Sequence, residues 1–202
     1  MNEIRLFSYK MTHDTGFAPN PFHDILTLAN CKPQIRKSKR INDWIAGFTS
    51  SQLSGDSIGY ERLVYLMKVT EKVDYSEYWN NPRFKAKIPI LSSDNIVDKA
   101  GDNIYMPVSP IGFKQIPNKN HNESNFRHDL NGKYILISDE FYYFGNSAII
   151  IPNRIRPKVP RGQSGQGVRT HNLEKAMLFI EYIKKNYTKG LFDYPHNWPK
   201  RK

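Results

Sequence analysis

"RLVYLMKVT", residues 62–70, is the stretch on which the fold reading turns. It is partly alternating and rich in β-branched and aromatic residues, which suits a half-buried strand and not a helix. Strand-like runs lie on both sides of it. "IRLFSYKMT" (4–12) alternates apolar and polar residues, and "NDWIAGFTS" (42–50) also reads as a strand. "KYILIS" (133–138) and "FYYFG" (141–145) read as two strands about a tight Asp-Glu turn. "DILTLANC" (24–31) fits a short helix or a strand equally well.

Helical signals are fewer. In "DYSEYWNNP" (74–82), Asp74 can cap a short helix, Glu77 follows three residues on, and Pro82 closes it. "NLEKAMLFIEYIKKNYTKG" (172–190) is the clearest helix, expected over about 172–189. Asn172 caps it, and Leu173, Ala176, Met177, Ile180, Ile183 and Tyr187 make its apolar stripe. "SQLSGDSIG" (51–59) reads as a polar loop, and residues 83–133 give only brief apolar pieces between Gly, Asn, Asp and Pro. Short strands, few helices and long loops predict an α+β fold around a small curved sheet or barrel, with one domain over residues 1–202.

The net charge is +11, and residues 1–80 are near neutral with ten Lys+Arg against nine Asp+Glu, so the excess lies later in the chain. A basic balance of this size points to an anionic partner, DNA or a nucleotide first. "KPQIRKSKR" (32–40) holds five basic residues in nine and reads as a solvated turn. "NRIRPKVPRGQSGQGVRTH" (153–171) has five more and no acid, and reads as a mobile exposed loop; the tail "WPKRK" reads as frayed. Phosphate contacts are therefore expected from Arg36, Lys37, Lys39 and Arg40, and from Arg154, Arg156, Lys158, Arg161 and Arg169. The bland alternative is that these runs are solvated faces.

One cysteine, Cys31, rules out an intrachain disulfide and a cysteine-based zinc cluster. There is no apolar signal core and no run near the ~18 apolar residues of a membrane span, so a reduced, cytoplasmic setting without membrane association is expected.

"HDTGFAPNPFH" (13–23) mixes turn formers with aromatic and titratable groups. Phe17 and Phe22, with Trp44, Tyr78 and Trp79, can supply stacking faces for a flat base. Asn20, His13 and Asp14 can read its edges, and Lys32 and Arg83 complete the expected pocket. Trp44, next to Ile45, and Tyr78 also read as core. For catalysis, Cys31 beside Lys32 is a candidate nucleophile, since a nearby cation favours the thiolate, and His13 with Asp14 is a candidate general base and its neighbour. A lone cysteine after an apolar run is also read as a small buried hydrophobe. The two His-Asp pairs, 13–14 and 23–24, are ten residues apart, which matches no standard ligand spacing, and "GQSGQG" lacks the Lys-Ser/Thr of a phosphate loop. No metal and no cofactor are expected.

Five collinear blocks carry a resemblance. They are His13–Phe22, Cys31-Lys32-Pro33 with Ile35-Arg36, Met67–Glu71 with Glu77–Phe84, Gly101–Tyr105 and Phe141–Gly145. Together they resemble the second nucleotide-modification-associated domain family. "INDWIAGF" (41–48) followed by 62–79 is similar to the PUA-like superfamily, in its EVE and ASCH branches. The chain departs from the pattern with "NNPRF" for "NDPRF", and with "GNSAIII" where a Gly-Ser-Gly-Pro-like turn is expected. The resemblance implies a PUA-like barrel and a setting in DNA base hypermodification, in phage or mobile-element contexts. It leaves two readings. One is a module that binds a modified base or nucleotide. The other is an amidohydrolase- or transferase-type enzyme using Cys31 or His13. An adaptor that docks DNA-modification enzymes is a third.

Overall fold

The computed structural model describes residues 4–108, 112–162 and 164–199. Its centre is the strand read first. β4 (Leu63–Lys68) lies in the middle of a six-stranded mixed sheet, antiparallel to β3 (Trp44–Phe48) on one side and to β9 (Glu140–Tyr143) on the other. Beyond β3 runs β1 (Leu6–Lys10), parallel to it, and β10 (Val168–Arg169) is the edge; β11 (Gly190–Leu191) borders β9 at the far edge. The class is α+β, as expected, but the sheet is open, with β10 and β11 as its edges, and not a closed barrel.

A second, three-stranded sheet has the order β2 (Leu26–Leu28), β8 (Tyr134–Ser138), β5 (Glu71–Asp74), all antiparallel. The chain passes between the two sheets twice by corners of one or two residues. Val69 and Thr70 separate β4 from β5, and Asp139 alone separates β8 from β9. The Asp-Glu turn therefore does not make a hairpin; the strands flanking it belong to different sheets.

Strand alternation then builds three apolar layers. Trp44, Ala46, Leu66 and Tyr142 face α6 (Leu173–Asn186), which packs Ala176, Phe179, Ile180 and Ile183 against them. This buried stripe is turned from the expected one, since Leu173 and Met177 are exposed and Phe179 is buried. Gly190 opens β11 and does not close the helix. Ile45, Tyr65, Met67, Phe141 and Tyr143 face inward to Leu26, Leu28 and Leu136 of the second sheet. Ile135 and Ile137 face outward to Tyr75 and Tyr78 of α3 (Tyr75–Asn80), with Phe84 and Tyr105. Asp74 caps α3 as expected, accepting from the Glu77 amide.

Two basic segments differ from their sequence reading. Residues 32–40 contain a helix, α1 (Pro33–Ser38), whose Ile35 and Arg36 are buried. Residues 153–171 are tied to the core by buried Ile155 and by β10, with Gln163 outside the described residues, as are Lys200 to Lys202 of the basic tail. Ser51–Ser54 form a one-turn helix, α2, where a loop was expected. Among the described residues no helix is long and apolar enough to cross a membrane.

The opening loop, 13–23, is fastened from below by Lys87. Its fully buried ammonium lies 2.7 Å from Phe22 O, 2.8 Å from Asn20 Oδ1, 2.9 Å from Ile25 O and 3.1 Å from Asn20 O. A buried cation this well solvated by carbonyls stabilises the loop's path, and its loss strands several acceptors at once. Lys87→Met is expected to lower the free energy of unfolding by about 3 kcal/mol, read from urea denaturation; a loss below about 1 kcal/mol would mean that Lys87 is not the anchor.

Candidate active site

Cys31 follows β2 at a sharp bend. It and Lys32 have consecutive left-handed backbones, with φ of 54° and 40°. Left-handed conformations cost L-residues roughly 1–2 kcal/mol each, and persist only where the surroundings hold them. Here the hold is visible on both sides of Cys31. Its amide donates to Asp129 Oδ1 at 2.7 Å, and its carbonyl accepts from Arg36 Nε at 2.8 Å.

The bend carries the half-buried thiol to a histidine ninety residues away. Cys31 Sγ lies 3.3 Å from His121 Nε2, and His121 Nδ1 lies 2.5 Å from Asp129 Oδ2. Asp129, in α5 (Phe126–Leu130), is fully buried and also accepts from Tyr105 Oη at 2.8 Å. The His121 backbone is fixed by its amide donating to Asn118 Oδ1 at 2.7 Å and its carbonyl accepting from Gln115 Nε2 at 3.0 Å. Phe17 packs edge-on against the imidazole, with ring centroids 4.8 Å apart. Thiol, imidazole and carboxylate are thus in line, each held by its own contacts, the order that a nucleophile, its base and an orienting group require.

Charge follows the geometry. Burial pushes the His121 pKa down, but the hydrogen bond to Asp129 and the contact with Cys31 outweigh it, so the pKa rises from 6.5 to about 9. Burial pushes Asp129 up, and the His121 hydrogen bond and charge more than reverse this. At neutral pH the pair is imidazolium and carboxylate.

Arg36 ties the site together from beneath. Its guanidinium donates to Cys31 O, to Asp129 O at 2.5 Å, to Tyr134 O at 2.9 Å and to Tyr75 Oη at 2.7 Å. Gly132 leaves room for it: a Cβ there would come within 2.3 Å of Arg36 Cζ. With no solvent exposure and every donor group turned to a protein oxygen, Arg36 is a structural clamp and not a phosphate contact.

Cys31 and His121 open on a cleft of about 560 Å³, whose wall includes His13, Phe17, Lys32, Gln34, Asn120 and His128. Of the residues expected to share a pocket, the structure brings together His13, Phe17, Cys31 and Lys32. Others lie elsewhere. Asp14 is buried behind the loop, bonded to Tyr143 Oη and to the His196 amide at 2.8 Å, so it does not pair with His13. Asn20 is held by Lys87, and Phe22 packs on Trp198 with centroids 4.9 Å apart. Trp44 sits in the core against α6, and Tyr78 is buried with its hydroxyl 2.7 Å from Asp102. Trp79 is half-buried on α3, and Arg83 pairs with Glu71 at the surface. None of these lines the cleft. Lys39 is buried with Nζ 3.8 Å above the Phe7 ring, and Arg156 is bound to Glu61 at 2.7 Å. Arg169 is half-buried on β10. Lys37, Arg40, Arg154, Lys158 and Arg161 are exposed.

His121 and Asp129 escaped the sequence reading because they lie in its least patterned stretch. A lone cysteine with a histidine and an aspartate far along the chain was the one available signal. The three groups could in principle also hold a metal, their ligand atoms all lying within 4.8 Å of one another. Asp129 Oδ2 and His121 Nδ1 are, however, already bonded to each other, which leaves Sγ and Nε2 as the outward ligands, too few for a closed tetrahedral site.

One family model, described as nucleotide modification associated domain 2, matches residues 3–202. No curated protein and no solved structure matches the chain.

His121 binds its proton more tightly folded than unfolded. The stability this supplies is complete below about pH 6.5 and is lost as pH rises through about 9. The difference in Tm between the wild type and His121→Gln is therefore expected to be largest near pH 6.5 and to shrink toward pH 10; a difference constant across that range would contradict the imidazolium–carboxylate pair.

Proposed function

Since the chain belongs to the nucleotide modification associated domain 2 family and so has a role linked to nucleotide modification, we propose that it is a cysteine-nucleophile enzyme of that process, of amidohydrolase or acyl-transferase type. The observation that carries this is the line from Cys31 Sγ to His121 Nε2 at 3.3 Å and from Nδ1 to Asp129 at 2.5 Å. It differs from the pairing expected at sequence level in that His121, not His13, is the base.

The chemistry runs as follows. Cys31 sulfur attacks a carbonyl carbon, a C–S bond forms, and the carbonyl electron pair moves to oxygen. As the C–S bond forms, the proton shared by the pair is held at His121 Nε2. When the oxyanion collapses, the C–N or C–O bond breaks and His121 gives that proton to the leaving atom, producing a thioester. Water or an acceptor amine then attacks the thioester, His121 takes its proton, and the thiol is restored. The Cys31 amide is committed to Asp129. Donors to the oxyanion are therefore cleft side chains, with the amides of Gln34 and Asn120 in place on the wall.

A nucleotide, or a base within DNA, is the substrate class we favour. Both basic segments reach the cleft, residues 32–40 through Lys32 to Gln34 and residues 153–171 through Gly165. Lys37, Arg40, Arg154, Lys158 and Arg161 of these segments are exposed. Phosphate neutralisation by such groups makes binding weaken with salt. The alternative is a binding module without chemistry, for which the aromatic walls from Tyr9 and Phe17 speak. Phe17, though, is 2% exposed and presents its ring to His121, which leaves little face for stacking.

Iodoacetamide is expected to alkylate Cys31 faster than glutathione, and His121→Ala to slow it by at least about 100-fold. Mass spectrometry of nucleotides and DNA from expressing cells is expected to show a product that is lost in both Cys31→Ala and Asp129→Ala. Nucleotide binding that is equally tight in Cys31→Ala, with no product dependent on the thiol, would favour the binding module.

A further inference from the structure

The cleft wall carries basic side chains and no acid. His13, Lys32, His121 and His128 line it, and no Asp or Glu does among the described residues. Asp129 stands fully buried behind His121 and is taken up by the Cys31 amide, the Tyr105 hydroxyl and the imidazole.

Lys32 is the unusual member. It is half-buried, adjoins the nucleophile and lies over Tyr9, another wall residue, with Nζ 5.0 Å from the ring centroid. Its ammonium has no hydrogen-bond acceptor and no carboxylate among the described residues. The three lysines that are buried among the described residues all have such partners. Lys10 meets Glu61 at 2.6 Å, Lys87 has four oxygens, and Lys39 reaches Ser38 Oγ at 3.2 Å. Lys72 has the carbonyls of Lys37 and Lys39. Burial without a partner costs an ammonium solvation, and Lys32 basicity is lowered by it. An anion placed in the cleft would restore that interaction.

We infer that Lys32 anchors an anion-binding subsite beside Cys31, so that the electrophile this enzyme accepts carries a carboxylate or phosphate close to the carbon attacked. The inference rests on the reading of Cys31 as a nucleophile. Without a charged group to meet Lys32, a substrate would leave the ammonium unpaired and the reacting carbon less well placed. Tyr9 forms the floor that keeps the lysine stem in position.

Iodoacetate and iodoacetamide separate the two claims, because they differ in charge and little in size. In each, Cys31 sulfur displaces iodide from the CH2 carbon. The ratio of their rates cancels the intrinsic reactivity of the sulfur. With the full chain, the iodoacetate to iodoacetamide ratio is expected to exceed that of glutathione by about tenfold. Lys32→Met and Lys32→Gln should bring it down to the glutathione ratio, and Lys32→Arg should preserve it. Protection of Cys31 from iodoacetamide by a deoxynucleoside 5′-monophosphate, but not by the nucleoside, supports the subsite with phosphate as its anion; protection by succinate supports it with carboxylate. Fast iodoacetamide labelling with a ratio no higher than that of glutathione, the same in Lys32→Met, would overturn the subsite alone. Iodoacetamide labelling no faster than that of glutathione would instead sink the nucleophile reading.

Discussion

A single buried guanidinium joins everything that makes this site. Arg36 holds the carbonyls of Cys31 and Asp129, and it does so from a helix that starts two residues after Cys31. A buried cation in an apolar setting is costly, and its cost is met here by carbonyl and hydroxyl oxygens instead of a carboxylate partner. These oxygens come from the bend at Cys31, from α5, from the start of β8 and from α3. The clamp therefore fixes the relative positions of four pieces of chain, and the left-handed bend at Cys31 can persist because it is held at both ends.

The sheet topology explains why Cys31 lies where it does. β1 and β3 are parallel neighbours, so the chain between them cannot be a short turn and has to leave the sheet and return. That excursion holds the opening loop, β2, Cys31 and α1. Histidine and aspartate come from another long connection, between β7 (Phe113–Gln115) and β8. β2 and β8 pair directly, which sets the two excursions side by side and brings Cys31 within reach of His121. The fold thus assembles its chemistry on connections positioned by strands, as rigid scaffolds commonly do.

The strands around residues 62–70, the caps of α3 and α6 and the α+β class were legible in local pattern, because periodicity and capping are local physics. "KPQIRKSKR" shows the limit. Five basic residues in nine suggest a solvated turn, but Arg36 and Lys39 point inward, to carbonyl oxygens and to an aromatic face. Nothing local signals this, since the oxygens that solvate Arg36 lie up to 98 residues along the chain. The same holds for Asp14. Beside His13 in sequence it reads as a catalytic neighbour, yet the chain turns it inward to Tyr143. Cys31, Lys32, Phe17 and His13, which share the cleft wall, could be singled out by type and neighbourhood, whereas His121 and Asp129 stand out only through the tertiary contact.

The bond from Asp14 to the His196 amide has a consequence in time as well as space. Asp14 and Asn197 exchange two further bonds, Asn197 N to Asp14 O and Asp14 N to Asn197 Oδ1, and Phe22 rests on Trp198. The loop that carries the cleft residues His13 and Phe17 is therefore fastened by residues about 180 positions downstream. Closing so long a span is entropically slow. On a ribosome, the strands and the Arg36 clamp can settle while the opening loop still waits for its far partner. The loop beside the thiol is therefore fastened only after residues 196–198 have been made, later than the strands and the clamp around it.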